Sequence, residues 1–403
     1  MDERLCIYSD GVYPYSTGGS HRYIYEISKV ISCDHKQVTV CVPKLDKTIE
    51  ITTPTEISLD LEKNCRMKIE RFDYNKVNPL SKFLSYLTNF RRSILINANK
   101  NNITINVQYL PALTSILFDR GFPVSYFFHG PWSYEYYLNL KGRIKSGKNR
   151  MKFVMHFTNI LLLIFLFILE FVSLRRATHY CVTTNYTKKL LCKYFLISSK
   201  KISIVGAGVD VAKFTPIAKN SSDIMQLITL RRLEHRMGLE LLLDACAILN
   251  SRRVNFKLRI AGKGPITAYL VEKIQYLGLK DHVNLVGFIP DEELSNFLSS
   301  GTVFVLPSIA LEGFGLVILE SFACNTPVVA FDAGGPSEVL KVISEKLLVR
   351  KMSAHSLADK LQELFKNKEI LDQVDYRGIV ARDFSWNDVA TAFLIACNER
   401  VQS

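Results

Sequence analysis

Short, mostly apolar runs recur along this chain, and most are followed by a longer stretch in which apolar positions return every three or four residues. Runs such as "VTVCV", "VSYFF" and "FKLRIA" are rich in β-branched and aromatic residues. They read as short strands, and the longer stretches read as amphipathic helices. Strands are predicted over 5–9, 38–42, 104–107, 124–128, 180–183 and 202–205, then over 225–230, 256–261, 283–286, 303–306 and 328–331. The pattern restarts near residue 220, where "FTPIAKNSSD" (214–223) supplies the proline and polar cluster of a linker. Strands alternating with helices in two series define an α/β chain with two Rossmann-like domains, each built on a parallel sheet. Residues 44–100 are irregular, and no element is placed there.

One apolar run is of a different kind. "ILLLIFLFIL" (160–169) is uninterrupted, but His156, Asn159 and Glu170 bound it closely, and a span needs roughly 18 to 20 such residues. A buried or surface-lying helix is expected instead of a span. Upstream, "KGRIKSGKNRMK" (141–152) carries six basic residues and no acid, and Arg175 and Arg176 follow the run. That order suits a helix lying on an anionic membrane face, while an internal helix behind a solvated basic loop fits it equally well. The opening "MDERLCIYSDGVY" lacks the basic flank and small-residue cleavage site of a signal peptide, so a cytoplasmic location is expected.

Composition narrows the class. The 403 residues are 48% hydrophobic, enough for two cores, and the nine cysteines, an odd number without a C-x-x-C pair, point to a reducing compartment and away from a disulfide framework or a zinc site. The net charge of +13 calls for an anionic partner: a nucleotide-bearing substrate, an acidic membrane face or a nucleic acid. The basic residues lack the aromatic interleaving of a single-strand groove, which argues against nucleic acid.

Ligands of Rossmann-like sheets bind beyond the carboxyl ends of the strands, so the residues there are the candidates. After the first strand, Gly18 and Gly19 open a helix, and glycines there let backbone amides approach an anion; a simple tight turn is the competing reading. "HGPW" puts His129 at the end of the strand over 124–128, as a cleft-lining or a structural histidine. After the strand over 225–230 comes "RRLEHRMG", a basic turn whose arginines suit a diphosphate. "IAGKGP" contributes Gly262, but neither it nor "GAGVDV" (206–211) completes a dinucleotide fingerprint. In "LEGFGLVILE", Glu312 sits at a glycine turn and can accept hydrogen bonds from sugar hydroxyls. The amides of Gly313, Phe314, Gly315 and Leu316 face phosphate or sugar oxygens. Glu320, about 7 to 8 Å along the following helix, can hold a vicinal diol such as a ribose. A helix-start acid and an exposed glutamate would give the same pair by chance.

Taken in order, "GG", "GVDVAKFTP" (208–216), "RRLEHRMGLELLLDA", "IAGKGP", "VNLVGFIPDEEL" (283–294), "PSIALEGFGLVILESFACNTPVVA", "GGPSE" (334–338) and "FSWNDVA" (384–390) resemble family 4 glycosyltransferases. The resemblance implies a GT-B fold, with Rossmann-like domains facing a central cleft: an acceptor domain over 1–213, a nucleotide-sugar domain over 214–383, and a helix over 384–403 returning to the first. It implies a retaining transferase using a nucleotide-diphosphate sugar and a glycan or lipid-linked acceptor, as in polysaccharide or glycolipid biosynthesis. By position, Arg232 matches the diphosphate arginine, Glu312 the glutamate near the donor sugar, Glu320 the ribose glutamate and His129 the histidine near the reacting sugar. The chain departs from the family at Met237, where many members have lysine; Arg236 is the nearest cation and its replacement. No D-x-D motif is present to hold a metal, and neither metal nor cofactor is expected. A nucleotide-sugar epimerase is the alternative enzyme, and differs in forming product without an acceptor.

Overall fold

A computed structural model of the chain describes residues 4–13, 18–33, 37–43, 67–72, 87–92, 103–107, 124–145, 152–175, 177–217, 224–367 and 369–398. The predicted linker lies outside these at 218–223, the basic stretch at 146–151, the last helix at 399–403, and most of 44–100. Contacts divide the chain into two units, Met1–Ser133 with His156–Ala207 and Trp386–Ser403, and Tyr134–Met155 with Gly208–Ser385.

The first unit holds strands β1 (Arg4–Tyr8), β2 (Gln37–Pro43), β3 (Met67–Phe72), β4 (Ile103–Val107), β5 (Val124–Phe127), β6 (His179–Val182) and β7 (Ile202–Ile204). All pair in parallel, in the order β3-β2-β1-β4-β5-β6-β7. Every residue of β5 is buried, as a central parallel strand covered by helices on both faces requires. Strand β3 is an edge, and "MKIERF" mixes polar with apolar positions, Met67 being buried and Lys68 and Arg71, on opposite faces, exposed; it therefore lacks the continuous apolar run of its neighbours. Helix α1 (Gly19–Cys33) buries Tyr23, Ile24, Ile27 and Ile31, one stripe at helical spacing. Tyr23 packs on Phe127 and on Trp386 of the last helix, Trp386–Asn398, at 4.5 and 5.2 Å between rings.

Helices α2 (Trp132–Lys145) and α3 (Lys152–Arg175) follow β5. The polar residues flanking the apolar run do not end α3, because Asn159 and Glu170 lie inside its 24 residues. Over Thr158–Arg175 the mean hydropathy is 2.0 and only 22% of the stretch is buried. By length and composition this helix is long and apolar enough to cross a membrane. Leu166, Glu170, Ser173 and Leu174 face the protein, whereas Ile160, Leu161, Ile164, Phe165, Ile168 and Val172 are exposed. At 100° per residue these form two opposite stripes, so α3 is apolar on its solvent side as well. Helix α4 (Asn185–Phe195) is capped by Thr184, whose side chain accepts from Thr187 N.

The second unit repeats the plan: β8 (Met225–Leu230), α5 (Leu239–Ser251), β9 (Phe256–Ala261), α6 (Thr267–Tyr276), β10 (Val283–Gly287), α7 (Asp291–Ser299), β11 (Val303–Leu306), α8 (Leu316–Ala323), β12 (Val328–Phe331), α9 (Gly334–Ile343) and β13 (Leu348–Val349). Its parallel sheet has the order β10-β9-β8-β11-β12-β13. The order reverses between β8 and β11, as it does between β1 and β4 in the first sheet. At such switch points the loops from neighbouring strands diverge and leave a crevice at the carboxyl edge.

Candidate active site

The crevice between β8 and β11 is lined by the loops after those strands. The loop after β8 stays in register with the one after β9: Arg231 N donates to Ala261 O and Leu233 N to Lys263 O, at 3.0 and 3.1 Å. Gly262, with φ of +123°, makes this approach possible, since a Cβ there would stand 1.8 Å from Arg231 O. On the other side Ile309 N donates to Arg236 O at 3.1 Å, tying the β11 loop to the basic turn.

These constraints point the two neighbouring arginines in opposite directions. The Arg231 side chain is 5% exposed and forms an ion pair through Nη2 with Glu312 Oε2. Its Nη1 is buried and has no hydrogen-bond partner among the described residues. Arg232 is 66% exposed and pairs with Glu234 Oε1 at 2.8 Å. Arg236, 10% exposed, pairs with Glu135 Oε1 at 2.7 Å and Glu234 Oε2 at 3.2 Å. Glu234 thus pairs with both exposed Arg232 and largely buried Arg236 from a buried position, and neither it nor Arg231 was singled out from the sequence.

Glu312 takes a second hydrogen bond, from Ser308 Oγ at 3.2 Å. Burial opposes its charge, but the Arg231 guanidinium outweighs that, with Arg236 and Ser308 adding, and the carboxyl is held below the usual range. The residue is an anion fixed beside a cation that retains an unused donor. Gly335 N donates to Glu312 O at 3.0 Å, and a Cβ on Gly335 would lie 1.9 Å from Gly313 O, so the start of α9 buttresses the Glu312 turn. Gly315 caps α8 in the left-handed region. Phe314 is buried, 6.5 Å from the Phe384 ring. Helices α5 and α8 follow β8 and β11 and present first-turn amides and positive dipole ends, whereas in α9 Gly335 N is engaged by Glu312 O and Pro336 has no N–H. Glu320 lies in the second turn of α8 and is buried. The arrangement can bind an anion on Arg231, Arg236 and amides, and hydroxyls on the two glutamates.

In the first unit, Gly18 has φ of +141° and precedes α1, and a methyl added at Gly19 would meet nothing within 4 Å. His21 Nε2 lies 3.0 Å from Asp10 Oδ1 at this first switch point. His129 follows β5, its ring 5.8 Å from Tyr23 and 4.6 Å from Phe127. The residue keeps some exposure, but Nε2 is buried with no partner among the described residues. Burial, with His21 nearby, pushes the imidazole down to about 3, so it is neutral at pH 7.

The family model Glycosyltransferase Family 4 matches residues 17–213, and Glycosyl transferases group 1 matches residues 214–380. The chain belongs to the family 4 glycosyltransferases. It is 31% identical over 195 residues to the putative colanic acid biosynthesis glycosyltransferase WcaL of Salmonella typhimurium, covering 46% of this chain and 48% of that one. The chain spans about half the length of the curated relatives it matches. Its fold is similar to that of sucrose-phosphate synthase from Thermosynechococcus elongatus, with TM-score 0.75 at 18% identity over 99% of both chains. It is also similar to Anabaena HepE in complex with UDP and glucose, with TM-score 0.70 at 16% identity over 98% of this chain and 100% of the other. The two parallel sheets are those of the GT-B fold.

Proposed function

We propose that the protein is a retaining glycosyltransferase that moves a sugar from a nucleoside diphosphate to a hydroxyl of a glycan or lipid-linked acceptor, in cell-surface polysaccharide or glycolipid synthesis. The observation that carries this is the buried Arg231–Glu312 pair at the β8/β11 switch point, with an Arg231 donor left over. Arg231, Arg236 and the first-turn amides of α8 neutralise the diphosphate as the anomeric carbon–oxygen bond breaks. Arg231 thereby takes the role expected of Arg232, which turns outward. Glu312 holds the donor sugar, Glu320 the ribose, and neutral His129 the reacting sugar. The acceptor hydroxyl attacks on the face the diphosphate leaves, and its proton passes to the leaving phosphate oxygen, so no covalent nucleophile is assigned. The UDP held by HepE supports a nucleotide-sugar donor, and the polysaccharide role of WcaL supports the acceptor class.

The exposed apolar face of α3, with basic residues before and after it, fits peripheral seating on an anionic membrane, where lipid-linked acceptors reside. The direct test is a panel of nucleotide sugars assayed for binding and turnover with and without acceptor, in EDTA. One donor is expected to bind and to be consumed with acceptor present, undiminished by the chelator. Product formed from the donor alone would favour the epimerase, and binding of no nucleotide sugar would refute the proposal.

A further inference from the structure

Glu170 is the one acid among the 24 residues of α3, and it is 1% exposed. Its carboxylate meets the first residues of α2. Trp132 N donates to Oε1 at 2.8 Å, and Ser133 N and Ser133 Oγ donate to Oε2 at 3.0 and 2.7 Å. A carboxylate is stable in so apolar a setting because three donors and the positive end of a helix compensate its lost hydration. At the other side of the turn, Phe128 N donates to Cys181 O at 3.0 Å. His129, Gly130 and Pro131 are therefore pinned at both ends, to β6 and to α3. Between those pins the His129 ring rests on Tyr23 and Phe127, with Nε2 buried and without a partner among the described residues.

We propose that Glu170 is a positioning residue for His129: by locking the first turn of α2 onto α3 it fixes the imidazole that serves the reacting sugar. The inference rests on the reading of His129 given above. Its test follows the histidine ring signals by NMR against pH, with His129 assigned by its loss in His129→Gln. In the wild type His129 stays neutral through mildly acidic pH. In Glu170→Ala the turn loosens, water reaches the ring, and its midpoint moves toward the ordinary value of about 6.5. Ser133→Ala removes the hydroxyl donor without stranding a buried charge. It moves the midpoint the same way by less, and keeps the test decisive should Glu170→Ala not fold. With UDP-glucose as the probe donor, Glu170→Ala lowers kcat about tenfold or more, the scale of a misplaced reacting group, with donor KM unchanged. His129 titrating as in the wild type in every variant that folds overturns the inference, whichever donor the protein uses. If instead the titration moves as expected but His129→Gln leaves turnover intact, Glu170 positions the ring and the role given to His129 is what fails.

Discussion

Arg231 and Glu312 are 81 residues apart in sequence and form a buried ion pair, Nη2 to Oε2, between the loops that end β8 and β11. Each charge would be costly to bury alone, and each makes the other tolerable. The pair leaves Arg231 Nη1 without a partner among the described residues. On the proposed reading, that nitrogen is the donor for a phosphate or sugar oxygen.

Arg231→Ala is therefore expected to weaken UDP binding by roughly 10- to 100-fold, the worth of one charge-assisted hydrogen bond. Arg232→Ala, which removes an exposed ion pair, changes it by less than about fivefold. Calorimetric titration of both variants compares them, and the reverse ranking would return the diphosphate to Arg232.

The same groups set an acid limit on stability. Glu312 has a depressed folded pKa, so its contribution is present above the ordinary carboxylate range and is withdrawn as pH falls through the folded value. His129 is neutral in the fold down to about 3, whereas the unfolded chain takes up that proton near 6.5. Its contribution is complete above about pH 6.5 and falls as pH drops toward 3. Between pH 7.5 and 4.5, His129→Gln should lose less thermal stability than the wild type. Parallel melting-temperature curves for the two proteins would show that His129 is not buried in this way.

Much of this was legible in the amino-acid pattern. All eleven predicted strands form, each within one residue at either end, because short runs rich in β-branched and aromatic residues mark a strand even where one face is partly exposed, as in β9 and β10. Strand β3 was missed since this edge strand mixes polar with apolar positions, and β13 since it has two residues. The glycine turn and its two glutamates were visible by spacing. Which of two adjacent arginines turns inward was not, because beyond the last residue of β8 the strand alternation no longer applies. That choice depends on Gly262 and on Glu312, both distant in sequence.

The glycines separate fold from ligand contact. Gly335→Ala places a methyl 1.9 Å from Gly313 O and is expected to lower the melting temperature and activity together. Gly19→Ala meets nothing within 4 Å and should leave the melting temperature unchanged. Any loss of turnover in that variant then reports on a ligand approaching α1. A stable Gly335→Ala protein would show that the start of α9 does not buttress the Glu312 turn.

Seating of α3 on a membrane is tested by sedimentation with anionic and neutral vesicles at two salt concentrations. Each basic residue near an anionic surface contributes about 1 kcal/mol before screening. Binding should favour anionic vesicles, weaken in salt and be lost in a Leu161→Glu, Phe165→Glu double variant. Association that resists both high salt and alkaline carbonate would instead mark an integral helix.

The central claim is that the β8/β11 crevice holds a sugar nucleotide with its two glutamates on different parts of the donor. The most direct measurement is UDP affinity and donor turnover in Glu320→Ala and Glu312→Gln, side by side. Glu320→Ala should lose roughly 10- to 100-fold in UDP affinity, as one charge-assisted hydrogen bond predicts. Glu312→Gln, which leaves Arg231 a hydrogen-bond acceptor, should bind UDP nearly as well as the wild type and lose a comparable factor in turnover. UDP affinity and turnover unchanged in both variants would contradict the account.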